Sequence, residues 1–300
     1  MSSVELKHVS RPAPHPMGSR VPLYWCLVPM GLLTLILLVF PLFYMARLSV
    51  SEFAPGRVGI HGFTLEHYGK VLTDLYYYRI ILRTVAVSLL VSALCLVLAF
   101  PVALHLARLA TRARGLLIFL IVLPIMVGVV VRSYGWIILF STEGPINQAL
   151  LGLGVISAPI ELMNTWAAVV IALTEIMLPF MVLPLISAIE RINPMVEEAA
   201  RTLGASPIQV FVQVTVPLAM PGIVSGLILV FALTITSYAT PALLGGPSAT
   251  VIASLIVQQM LTVFNWPLGS ALALFLITIA VLGTAYGLWL PRGSRAERRK

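Results

Sequence analysis

Apolar residues fill this chain in long unbroken blocks, with neither the strict alternation of a half-buried strand nor the single stripe of a surface helix. Six blocks stand out, near 23–46, 81–107, 115–140, 166–189, 221–243 and 269–290. Each reaches the roughly 20 residues that a helix needs to cross bilayer hydrocarbon. Hydrocarbon offers no partner to a bare backbone N–H or C=O, so such a run must satisfy its own hydrogen bonds as a helix. The pattern predicts an all-α integral membrane protein with six transmembrane helices.

Gly and Pro mark the turns between blocks. The segment 48–79 carries Tyr76, Tyr77 and Tyr78; 141–165 opens with Thr142-Glu143-Gly144-Pro145; 244–268 opens with Gly245-Gly246-Pro247 and closes with Asn265-Trp266-Pro267. Apolar runs inside these segments are too short to span and are predicted to lie at the interface. Trp136, Trp166 and Trp266 fall near the same boundary, as an aromatic belt requires.

Composition sharpens the class. With 59% hydrophobic and 10% charged residues among 300 and a mean hydropathy of +1.01, the chain has more apolar surface than a soluble fold can hide. Its formal charge of +8 is distributed by topology. Lys7, Arg11 and Arg20 precede the first block, Arg108, Arg112 and Arg114 fill a short loop, and Arg292, Arg295, Arg298, Arg299 and Lys300 close the chain. Six spans put all these clusters on one side, which the positive-inside rule makes the cytoplasm, with both termini inside. Basic residues that track membrane boundaries do not form a nucleic-acid patch. The reading divides the chain into a polar tail (1–22), a membrane domain (23–290) and a basic tail (291–300). The block starting at Leu23 is longer than a signal-peptide core and reads as an uncleaved anchor in the inner membrane. Cys26 and Cys95 are two packing residues rather than a disulfide framework.

Catalytic and nucleotide-binding signatures are missing. The sequence has no Gly-rich loop ending in Gly-Lys-Ser or Gly-Lys-Thr, no His-Glu-x-x-His, and no Cys/His cluster at metal-ligand spacing; His8, His15, His61, His67 and His105 are scattered. No catalytic activity, metal or cofactor is expected, and energy for any active process must come from a partner.

One polar island interrupts the apolar blocks within the loop 190–220: Glu197-Glu198-Ala199-Ala200-Arg201-Thr202-Leu203-Gly204-Ala205. Asn193 is placed to cap a helix beginning at Pro194, whose N-terminal turn favours the negative Glu197 and Glu198. Ala199 and Ala200 permit close approach of a partner, Gly204 permits a sharp turn, and Pro207 can start a second short helix. Local sequence alone fits an ordinary capped interfacial helix. From Glu198 the chain reads Glu-Ala-Ala, three free positions, Gly204, nine free positions, then Val214-Thr215-Val216-Pro217. This closely resembles the EAA loop of permease subunits of binding-protein-dependent ABC importers, with Val214 and Val216 where Ile and Leu are usual. Further stretches resemble the spermidine/putrescine-type permeases, among them Arg132-Ser133-Tyr134-Gly135-Trp136, Leu178-Pro179-Phe180-Met181-Val182-Leu183-Pro184 and Thr240-Pro241-Ala242-Leu243-Leu244-Gly245-Gly246-Pro247. The resemblance implies a cytoplasmic coupling helix between the fourth and fifth spans, using Glu197, Glu198, Ala199, Ala200, Gly204 and Ala205. It also implies a second permease subunit, two ABC ATPase subunits and a periplasmic solute-binding protein.

The substrate path is drawn from polar groups inside apolar blocks. Thr234, Thr236, Ser237 and Tyr238 fall in the predicted fifth span, where they can meet substrate or bond a neighbouring helix. The resemblance implies import of a small organic solute, first a polyamine of the spermidine/putrescine type; the polyamine group often has an acidic residue just before that aromatic, and Ser237 there leaves another small solute, such as an amino-acid derivative, as the alternative. Arg132 lies eight residues before Phe140 and Glu175 nine after Trp166, so at roughly 1.5 Å per residue both lie about 12–14 Å below the outer boundary. They are level, and either pair or leave Glu175 to face the path alone. A secondary transporter would need inverted repeats and several intramembrane ionisable residues, and a membrane enzyme a catalytic constellation. Neither set is present.

Overall fold

The computed structural model describes the backbone of residues 23–54, 59–109 and 113–297. Among these residues it is all-helical, with no strand. The chain forms two units, Met1–Tyr44 and Met45–Lys300. The first holds most of α1 (Leu23–Ser49), a 27-residue apolar helix. Lys7, Arg11, Arg20, Arg112 and Arg298 to Lys300, which carry much of the charge-based orientation, lie outside the described residues, as does the 1–22 tail.

The second unit runs α2 (Glu66–Thr73), α3 (Leu75–Arg108), α4 (Ala113–Val122), α5 (Val129–Phe140), α6 (Pro145–Gly152), α7 (Trp166–Ile189), α8 (Pro194–Thr202), α9 (Pro207–Val210), α10 (Val216–Ile235), α11 (Ile252–Val257) and α12 (Trp266–Glu297). Its core is α3, α7 and α10. Val91, Cys95, Ala99 and Ala103 recur every four residues along α3 and are fully buried, as are Met181, Leu185 and Ile189 of α7. Small residues set the approach of α10: a Cβ on Gly222 would collide with Ala188 and the Pro184 carbonyl, and one on Gly226 with Met181. At Gly222, against a backbone carbonyl, only glycine fits; at Gly226 a β-carbon would have to displace the Met181 sulfur.

Among the described residues, five helices are long and apolar enough to cross a membrane: Val28–Ser49, Leu75–Arg108, Trp166–Ile189, Pro207–Ile235 and Trp266–Trp289. Two bent pairs bring the possible total to seven. The expectation of six uninterrupted spans is corrected at two places. The predicted span 115–140 is broken: Ala113–Met126 and Val129–Gly152 meet at 94°. Pro124 opens a 3₁₀ turn, and Val127 and Gly128 are extended (ψ 126° and 139°), so the hydrogen-bond ladder stops there. The predicted span 221–243 is displaced, because the helix runs from Pro207 to Ile235. It passes Pro217, which cannot donate to the preceding turn, by way of a wider π turn at Phe211–Thr215. It then stops at Thr236, and the second bent pair, Pro241–Ala249 with Ile252–Thr262 at 90°, follows. The last helix also continues past the predicted boundary at 290 to Glu297.

Candidate functional site

At the end of α7 the chain turns through Glu190 and Arg191 and buries Ile192. The Asn193 side chain accepts the Met195 N–H at 3.0 Å, and Pro194 occupies the first helical position of α8. Leu203 N–H reaches the Ala199 carbonyl and Ala205 N–H the Ala200 carbonyl, while Gly204 takes φ +89°. That left-handed closure suits glycine. Ser206 and Gln209 then form a reciprocal capping box that starts the long helix at Pro207. The expected second short helix is therefore the first turn of the Pro207–Ile235 span.

The two acids of the island separate. Glu198 is exposed with Ala199 and Gly204, and Ala200 and Ala205 are half-buried. Glu197 turns inward, accepting from Arg108 Nη2 at 2.8 Å and from the Thr215 hydroxyl at 3.0 Å. Arg108 also donates to the Ile192 carbonyl at 3.2 Å, and Arg114 pairs with Glu190. The Arg108–Glu197 pair thus ties the end of α3 to the turn after α7, to α8 and to the buried Thr215. The outer surface of the turn carries large apolar residues: Leu203 is 89% exposed, and Met195 and Ile208 are also exposed. Sequence reasoning missed this apolar surface, whose signal was Leu203 inside the polar island with Met195 and Ile208 on either side. It also missed Arg108 and Thr215 as partners of Glu197. A cavity of about 470 Å³ opens behind α8, lined by Ser187, Arg191, Asn193, Val196, Pro221 and Ser225.

A second polar site lies between α5 and α7. Arg132, one turn beyond the bend at Gly128, donates through Nη2 to Glu175 Oε1 on α7 and through Nη1 to the Pro124 carbonyl at 3.4 Å. The guanidinium therefore bridges α7 and the carbonyl end of the broken helix. Trp136, stacked on Phe140 with centroids 4.8 Å apart, directs its indole N–H to Glu175 Oε2 at 3.4 Å. Arg132 is 9% exposed and Glu175 41%, so the carboxylate keeps an open side. Thr236, Ser237 and Tyr238 do not lie in a span, contrary to the sequence reading; they form the break after α10. Thr236 bonds back to the Ala232 carbonyl at 2.9 Å, whereas Tyr238 is exposed. The break is tied to the ion pair through Thr240, whose hydroxyl lies 3.2 Å from that of Ser133. Thr234 stays in the helix, buried and without a hydrogen-bond partner for its hydroxyl.

The arrangement combines a partly exposed Glu175 carboxylate, met by Arg132 and by the Trp136 indole N–H, with an α8 turn that exposes Met195, Leu203 and Ile208. The chain as a whole is similar to known proteins. Residues 68–295 match the family described as binding-protein-dependent transport system inner membrane component. The spermidine/putrescine transport system permease protein PotB of Salmonella typhimurium (strain SL1344) is 41% identical over 238 residues, 79% of this chain and 82% of that protein. PotB of Escherichia coli (strain K12) is 41% identical over 79% of this chain and 85% of its own length. Among solved structures, a bacterial ABC transporter involved in import of the acidic polysaccharide alginate superposes with a TM-score of 0.70 at 20% identity, covering 90% of this chain and 94% of that one. That likeness is one of fold. The family match takes in the α8 turn and the Glu175 site together, and the chain belongs to the binding-protein-dependent transport system inner membrane components.

Proposed function

We propose that this chain is the permease subunit of an ATP-driven importer that passes a polyamine of the spermidine/putrescine type across the inner membrane. Support for the substrate comes from Glu175: its carboxylate is 41% exposed and is held by Arg132 and the Trp136 indole N–H, so its open side suits an ammonium group. The 41% identity to PotB proteins points the same way. In this reading the chain has six membrane crossings with both termini in the cytoplasm, so that α8 faces the cytoplasm as the coupling helix. A second permease subunit completes the path, two ABC ATPase subunits supply the energy, and a periplasmic binding protein delivers the solute. Leu203 and Ile208 seat in the ATPase surface, with Glu198, Ala199, Ala200, Gly204 and Ala205 around them. Arg132, Glu175, Thr236, Ser237 and Tyr238 line the path, and the cavity behind α8 is its inner mouth.

The test is reconstitution of the four-part system in proteoliposomes with labelled putrescine or spermidine. Uptake should require ATP and the binding protein; uptake without either would overturn the importer reading, and uptake of another solute with neither polyamine carried would overturn the substrate.

Docking has its own expected result. Gly204→Asp places a β-carbon at φ +89°, a strain of about 1–3 kcal/mol at an exposed turn, and adds charge where an apolar surface docks. Transport should fall below a tenth of wild type, a loss equivalent to about 1.4 kcal/mol or more of coupling, while the permease pair still assembles. Wild-type uptake at normal expression would remove the turn from the ATPase interface.

A further inference from the structure

Arg79 and Arg83 stand one turn apart near the start of α3, and both are exposed. Arg108, Arg114 and Arg132 each meet a carboxylate; among the described residues Arg79 and Arg83 meet none. They line a cleft of about 260 Å³ with Tyr76, Pro247 and Thr250. The Arg83 guanidinium is held over the Trp166 ring, 5.9 Å from its centroid, so it is positioned without being neutralised.

Depth identifies what they meet. At 34 residues, α3 is about 51 Å long, against a hydrocarbon core of about 30 Å. Centred in the bilayer, it extends about 10 Å beyond the core at each end. Arg79 and Arg83 stand about 6 and 12 Å from its first residue, hence in the headgroup layer and at its lower edge. Below them the same face continues as Ala86, Leu90, Leu94 and Val97, all exposed, with Val97 at 69%. A pair of forked cations directly above an exposed apolar stripe matches one ligand in charge and in shape: a phosphodiester with its acyl chain attached.

We infer that Arg79 and Arg83 form a binding site for the phosphate of an anionic glycerophospholipid, whose acyl chain lies along Ala86, Leu90 and Val97. The inference depends on the membrane location of the chain and not on which solute it carries. The site would fix α3, one of the three core helices, to the leaflet at that end.

The test uses the assembled transporter in detergent, titrated separately with phosphatidylglycerol and phosphatidylcholine and read by native mass spectrometry. Wild type should bind phosphatidylglycerol at least about tenfold more tightly than phosphatidylcholine, the worth of one charge-assisted contact. R79Q/R83Q should abolish that preference, and R79K/R83K, which keeps charge but loses the fork, should retain part of it. If the double variant does not assemble, Arg79→Gln alone should still weaken phosphatidylglycerol binding. Equal binding of the two lipids by wild type, or unchanged preference in R79Q/R83Q, overturns the site. So does weakened binding-protein affinity in R79Q/R83Q with the lipid preference intact, which would assign the two arginines to protein docking.

Discussion

Replacing Arg108 or Glu197 with Gln is expected to uncouple ATP hydrolysis from transport. The Glu197 carboxylate is 14% exposed and gathers Arg108 and Thr215, so a push on α8 reaches α3 and the Pro207–Ile235 helix through one group. A charge-assisted contact of this kind contributes about 1.5–3 kcal/mol. Without it α8 can move against the core instead of with it, since small shifts become a rigid-body change only when elements move as one. Solute carried per ATP hydrolysed should fall at least about tenfold in Arg108→Gln and in Glu197→Gln, with basal hydrolysis retained. Thr215→Val should give a smaller loss, because the ion pair survives. The exchanged pair Arg108→Glu with Glu197→Arg should recover part of the ratio. A role in folding alone would reduce assembled complex and leave that ratio unchanged, and this outcome would dismiss the clamp.

What the sequence made legible follows the range of the interactions involved. The α8 turn could be read because Asn193, Pro194, Gly204, Ser206 and Pro207 act within a few residues of themselves, through caps and a left-handed closure. The core helices α3 and α7 could be read because their apolar runs are continuous. The break after Ile235 could not, since Pro241-Ala242-Leu243-Leu244 keeps the hydropathy high beyond it. Its causes are distant in sequence: Thr240 bonds Ser133, and the Leu244 carbonyl accepts the Asn164 N–H at 2.9 Å. The bend at Gly128 was hidden in the same way, because one Pro and one Gly barely lower the mean of a 26-residue window such as 115–140. Glu197 was assigned to the docking surface because its partner Arg108 lies 89 positions away, and no local pattern carries that information.

Arg132 and Glu175 were reachable by counting, since the eight residues from Arg132 to Phe140 lie within α5, on the unbroken side of the bend. Their contact leads to the last expected result. Removing one partner of a buried pair leaves the other charge uncompensated, at about 3–5 kcal/mol when the pair is fully enclosed. Arg132 is enclosed and Glu175 is 41% exposed, so the two single variants should differ. Glu175→Gln strands the guanidinium and should reduce both the assembled complex and transport. Arg132→Gln leaves a carboxylate that can turn to its open side, so assembly should suffer less. The guanidinium's bond to the Pro124 carbonyl is lost in that variant too, which loosens the bend. In the double variant no charge remains to be stranded, and thermal stability should recover to better than the sum of the two single losses. Transport should not recover with it, because the substrate's ammonium group then has no carboxylate to meet. Stability losses that simply add would show that the pair contributes nothing to the fold. Full transport by the stable double variant would take Glu175 out of the substrate path.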